Sequence, residues 1–196
     1  NSGLKFHLWS VREPKLDAKG AIDVSGYKVR GNPLYNAFFG NYLKAQVINV
    51  NVPEVYTALE RGTIEILGWP EIGITDAGWE RFVKYRIDPG FFAVDIMIVM
   101  NGKKWDALSP KTKEILAKAA VDFEASSMKA MRTIADNEDA LLRKQGLKFV
   151  TQSPEAGKRF VQAAVDENLK RMRERMQKSG STEGFDEIVS KFIVAK

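Results

Sequence analysis

The sequence predicts an α/β fold: a mostly parallel sheet followed by long helices. Short apolar strands alternate with helical segments from Leu4 to Met100, and a parallel strand pair needs a crossover that a helix supplies. Residues 53–62 open on proline and close on glycine, the residues that mark a helix start and stop. Beyond Ser109 the pattern changes to apolar residues recurring every three or four positions, the period of long helices.

Strands are expected at residues 5–9, 27–30, 46–51, 63–67 and 94–100, runs of apolar or β-branched side chains bounded by turn formers. An aromatic helix at 35–42 follows Pro33. Residues 71–85 read as loop plus helix with an apolar face of Trp79, Phe82 and Val83, and Ile87-Asp88-Pro89-Gly90 reads as a turn, proline fixing φ and glycine permitting reversal. Ser109-Pro110 supplies an N-cap and a first-turn proline. The run from Ile115 through Phe123 and Ile134 to Leu142 stops at Gln145-Gly146. A helix of about 36 residues spans about 50 Å, longer than one small lobe, so it is expected to bridge two. A strand at 147–150, a helix opened by Ser153-Pro154 and running to about 177, and an amphipathic turn or two from Phe185 complete the chain.

The 196 residues are 44% hydrophobic and 28% charged, enough to bury a core in one or two domains. There is no cysteine, which excludes disulfides, thiolate metal sites and cysteine nucleophiles. The longest apolar run, 91–100, is interrupted by Asp95 and falls short of the roughly 20 residues that cross a bilayer. A net charge of +5 could attract an acidic partner. However, Lys170, Arg171, Arg173, Arg175 and Lys178 alternate with Asp166, Glu167 and Glu174, the mixture of a solvated helix face. No phosphate loop or helix-turn-helix pattern accompanies them. A basic nucleic-acid-binding or structural module is the alternative function, with no nucleic acid the expectation. An enzyme of this class would need an acid/base pair or cofactor loop, and none is found. His7 is the only histidine, so a multi-histidine metal site is excluded.

Tyr27-Lys28-Val29-Arg30-Gly31-Asn32-Pro33 puts an arginine at the tip of a short apolar strand, just before a proline-started helix. A guanidinium there can meet a ligand carboxylate at two points. Equally, a strand-end arginine can be a solvated or salt-bridged surface residue.

The following segments carry a family resemblance. Val55-Tyr56-Thr57-Ala58-Leu59 with Gly62, then Lys84-Tyr85, Val99-Met100-Asn101 and Trp105-Asp106-Ala107-Leu108-Ser109 resemble the solute-binding proteins of tripartite ATP-independent periplasmic (TRAP) transporters, the DctP-like family. The resemblance implies a periplasmic binding protein type II-like lobe, no enzymatic activity, no cofactor, a periplasmic location, and membrane subunits as partners. It matches roughly the C-terminal two thirds of a family member, so the chain is expected to be a fragment. Residues 1–93 and 135–196 would then form the C-terminal ligand-binding lobe, and 94–134 would belong to the other, largely missing lobe. Unpartnered apolar surface on 94–134 would favour homo-oligomers. No leader sequence is legible in residues 1–10, which in a processed chain says nothing against export.

Residue by residue, Arg30 matches the family arginine that pairs with the substrate carboxylate. Arg12 sits near a second, less constant arginine, with a surface loop arginine as its other reading. Asn32 is a neighbouring donor. Trp69 falls where the family places a ligand-facing side chain, and its indole offers a large apolar wall with one donor. That favours a small or apolar organic acid over a hydroxyl-rich sugar acid. Its other reading is core packing against Trp79 or Phe82. Leu67-Gly68 precede Trp69 where some relatives carry a cation-binding carboxylate, so no metal is expected.

Overall fold

The computed structural model describes residues 3–93 and 97–192, with the side chain of Phe192 left out. In chain order the strands are β1 (Lys5–Ser10), β2 (Lys15–Leu16), β3 (Ile22–Asp23), β4 (Lys28–Gly31), β5 (Gln46–Asn49), β6 (Ile66–Pro70), β7 (Tyr85–Ala93) and β8 (Lys148–Thr151). The helices are α1 (Val55–Glu60), α2 (Gly102–Asp106), α3 (Pro110–Lys144), α4 (Pro154–Lys178) and α5 (Phe185–Phe192).

Six strands form one sheet in the order β5-β4-β6-β1-β7-β8. The β4–β5, β4–β6 and β7–β8 pairs are parallel, whereas β1 runs antiparallel to both β6 and β7. Five strands therefore share one direction and β1 opposes them, giving the mostly parallel α/β sheet expected from the strand–helix alternation. β2 and β3 make a separate two-stranded ribbon.

Successive strand residues face opposite sides of a sheet, and the two core layers follow that alternation. Leu8, Val29, Ile66 and Ile87 face a layer completed by Phe38, Phe39, Phe91 and, from α4, Phe160 and Ala164. Trp9 and Leu67, their sequence neighbours, face the second layer with Val55, Ala58 and Leu59 of α1, Trp79, and Leu142 of α3. Phe38, Phe39 and Phe91 are buried in this core.

Four expected elements differ. Residues 87–90 are not a turn but part of β7, because β1 pairs across them: Leu8 is opposite Ile87 while Phe6 is opposite Phe92. The surplus residues on β7 bulge, a place where a strand tolerates proline. The strand expected at 94–100 is not formed at 97–100, and 94–96 lie outside the described residues. Likewise the strand expected to end at Leu67 continues through Gly68-Trp69-Pro70, since His7 and Phe6 pair with Trp69 and Pro70. The helix expected at 35–42 is a π-helical turn at Phe38–Tyr42.

The long helix α3 has 35 residues, opened by Ser109 Oγ accepting from the Thr112 amide at 3.1 Å. Ala135, Glu138 and Leu142 in its C-terminal part are buried, and Leu142 joins Trp9 and Leu67 of the sheet in the second core layer. Over residues 110–134 all but three positions are exposed, among them Val121 at 68% and Phe123 at 55%.

Candidate functional site

Parallel strands expose their carboxyl ends together, and ligands of α/β proteins gather there. Arg30 stands at that end of β4. In the parallel register it lies opposite Ile48, a residue of the second core layer, while its neighbour Val29 belongs to the first. Alternation thus turns a charged side chain toward an apolar layer. Arg30 is 3% exposed. Its Nε donates to the Val50 carbonyl at 3.0 Å, whereas its Nη1 is buried with no hydrogen-bond partner. None of the ion pairs among the described residues engages Arg30.

Trp69, on the adjacent strand β6, lies beside it: the guanidinium carbon is 5.9 Å from the ring centre. Trp69 is half-buried, and its ring meets Trp79 edge-on at 4.7 Å and 71°. The indole therefore both packs on Trp79 and faces Arg30. Its Nε1, like Arg30 Nη1, is buried without a partner.

Asn32 follows directly. Its Oδ1 accepts from the Leu34 amide at 2.9 Å, and its carbonyl accepts from the amides of Tyr35 and Asn36. The asparagine caps the turn after Arg30 by the short-range bonding that favours this residue type at helix starts. Asn36 closes the motif, its Oδ1 accepting from the Asn32 amide and its Nδ2 donating to Asn49 Oδ1 at 3.3 Å. A Cβ at position 31 would lie 2.6 Å from Asn49 Oδ1 and 2.8 Å from Val47 Cγ1, so any larger residue there would displace these side chains.

Arg12 is not brought to Arg30. It pairs with Glu65 at 2.8 Å and stacks on Tyr27 at 3.7 Å, half exposed. Glu65 also accepts from the Lys28 amide at 3.0 Å, which places this pair at the amino ends of β4 and β6, opposite to Arg30 and Trp69.

Two contributors to the Arg30 surroundings were not singled out from sequence. Tyr35 donates to the Gly68 carbonyl at 3.1 Å; burial pushes its hydroxyl up to about 12, against the opposing pull of the Arg30 guanidinium. The Val50 carbonyl orients Arg30; Trp79, read from sequence as a core partner of Trp69, does support that ring. No sequence signal marks a backbone carbonyl, but Asn-Pro followed by Tyr and Asn does mark a capped turn.

A second polar cluster lies at the start of β1. His7 is 6% exposed; its Nδ1 sits 2.8 Å from Asp88 Oδ1 and 3.2 Å from the Ile87 carbonyl, and its Nε2 is 3.7 Å from Glu71 Oε1. Glu71 is in turn 2.8 Å from Arg132 of α3, and Arg86 joins Asp88 to Asp139 of the same helix. Burial alone would lower the His7 pKa, but the bonds to Asp88 and Glu71 outweigh it and raise it. For Glu71 burial pushes upward, and the hydrogen bonds to His7 and Arg132 bring it down to about 2.

The bacterial extracellular solute-binding protein family 7 (DctP) matches residues 19–175, most of the chain. The chain belongs to that family. Among solved structures, a TRAP periplasmic solute-binding protein from Desulfovibrio salexigens with bound orotic acid superposes with a TM-score of 0.78 at 14% identity, over 95% of this chain and 58% of that one. One from Anaerococcus prevotii with bound D-glucuronate gives 0.74 at 20%, over 95% and 58%. One from Ochrobactrum anthropi, with a C-terminus bound in the ligand-binding pocket, gives 0.72 at 21%, over 96% and 57%. These share the fold. The chain spans less than three fifths of each.

Proposed function

We propose that this chain is the solute-recognising part of a TRAP transporter, located in the periplasm, that captures a small organic carboxylate through Arg30 and delivers it to membrane subunits. The observation that carries the reading is a guanidinium buried to 3% exposure with an unpartnered Nη1. Desolvating a cation costs several kcal/mol unless an anion and further hydrogen bonds offset it. None of the described carboxylates offsets it here, and a ligand carboxylate would.

The arrangement also defines how the acid would bind. Because Nε is held by Val50, the ligand would meet the Nη end of the fork. Trp69, backed by Trp79, supplies an apolar wall on one side, which favours a small or partly apolar acid. The capped turn of Asn32 fixes the backbone immediately beyond Arg30. Nothing in this arrangement makes or breaks a bond; the second side of the cleft would come from the remainder of the binding protein, with 94–134 as the segment leading to it. Arg12, paired with Glu65 at the far end of the strands, takes no part.

Calorimetric titration with a panel of organic acids, malonate, D-glucuronate and orotate included, tests the proposal. Saturable binding that Arg30→Lys weakens strongly supports it. Unchanged affinity in that variant removes Arg30 from the site. Salt-dependent DNA binding without carboxylate binding would favour the basic-module alternative.

A further inference from the structure

Glu138 is the one carboxylate among the buried described side chains, 7% exposed on α3, and solute binding as proposed above gives it no role. It accepts from the amides of Gly73 at 2.7 Å and Thr75 at 2.8 Å and from Thr75 Oγ1 at 3.2 Å. All three donors belong to the loop that leaves β6 just after Trp69.

That loop touches the tryptophan wall twice. A Cβ on Gly73 would lie 3.3 Å from Trp69 Nε1, and Gly73 holds φ +90°, a backbone state that disfavours any side chain. The Ile74 carbonyl accepts from the Trp79 amide at 3.0 Å, and Trp79 is the ring on which Trp69 rests. The link thus runs from the α3 carboxylate to the loop backbone, to Trp79 and Trp69, and so to Arg30.

We infer that Glu138 is a positioning residue for the ligand site: by holding Gly73–Thr75 it fixes the Trp69–Trp79 wall against Arg30. The inference rests on the solute-binding reading for its effect on affinity, but not for its effect on the wall. A charged acceptor holds amide donors more strongly than a neutral one. An amide in its place must turn an NH2 toward at least one N–H or leave that donor unpaired.

The test uses Glu138→Gln and Glu138→Asp in the full chain, with 15N-labelled tryptophan indoles and amide hydrogen exchange. Glu138→Gln is expected to speed exchange at Gly73 and Thr75 about tenfold, the loss of roughly one charge-assisted bond, and to shift or broaden the Trp69 indole signal. Amides of β4 and β5 should stay as they are. Affinity for the tightest binder among malonate, D-glucuronate and orotate should fall about tenfold. Glu138→Asp, which keeps the charge, should recover part of each effect and serves if the glutamine variant does not fold. An unmoved Trp69 indole, or loosened amides with unchanged affinity, overturns the inference. If none of the acids binds the unaltered chain, the solute-binding reading fails, while the indole and exchange data still decide whether Glu138 holds the wall.

Discussion

Arg30 donates from Nε to the Val50 carbonyl at 3.0 Å, so one edge of its guanidinium is spoken for by the protein and the other end is left for something else. Lysine has a single rotatable ammonium on a flexible stem and cannot keep one fixed bond while presenting a planar pair of donors. Arg30→Lys is expected to weaken carboxylate binding by about 2–5 kcal/mol, the usual loss when a buried charge pair is broken. Calorimetry reads this directly, and a loss below tenfold would count against a two-point contact.

Trp69 separates its two properties by substitution. Trp69→Phe keeps one aromatic ring against Trp79 and removes both the second ring and an Nε1 that has no partner within the chain, so its cost should be clearly smaller than that of full truncation. Trp69→Ala removes the ring and should cost about 3–5 kcal/mol if the gap does not close. Denaturant melts of the two variants check the difference; equal losses would show that the ring does not pack as described.

Gly68 is boxed in by the aromatic layer. A Cβ there would lie 3.0 Å from Phe91, 3.2 Å from Phe39 and 3.3 Å from Tyr35. Gly68→Ala should destabilise the fold by about 1–3 kcal/mol through overpacking, measured as a lowered denaturation midpoint with unchanged slope.

The His7 cluster sets a pH window. His7 is raised above its ordinary 6.5, so its contribution is complete below pH 6.5 and is lost as pH rises through the raised value. Glu71 is lowered from 4.5 to about 2, so its contribution is complete above pH 4.5 and is lost as pH falls toward 2. Asp88, also lowered, adds to the acid loss; burial opposes that shift, and the His7 hydrogen bond and Arg86 outweigh it. Stability should therefore peak between about pH 4.5 and 6.5. Unfolding followed against pH checks this, and His7→Gln should flatten the neutral limb and also shrink the acid limb, because the His7 hydrogen bonds help to lower both Glu71 and Asp88.

How much of this was legible beforehand varies from residue to residue. The apolar and β-branched runs around Lys5, Val29 and Val47 and the three-to-four spacing after Ser109 were visible because they are local: the strands β1, β4 and β5 and the helix α3 lie within a few residues of where those patterns put them. β7 was misread because Asp88-Pro89-Gly90 is turn chemistry locally, and only pairing with β1 and β8 on either side makes it a bulged strand.

The sequence by itself determined the α/β alternation, the long capped helix, the family, and an arginine at a strand tip. Tertiary structure decided what no short stretch can encode. It set Arg30 under Trp69 and beside Val50, sent Arg12 to Glu65 at the opposite end of the strands, and brought Glu138 from a helix 63 residues away in sequence onto Thr75. Side-chain periodicity follows from the backbone repeat of one element, whereas which elements share a sheet end follows from the strand order β5-β4-β6-β1, a property of the whole chain.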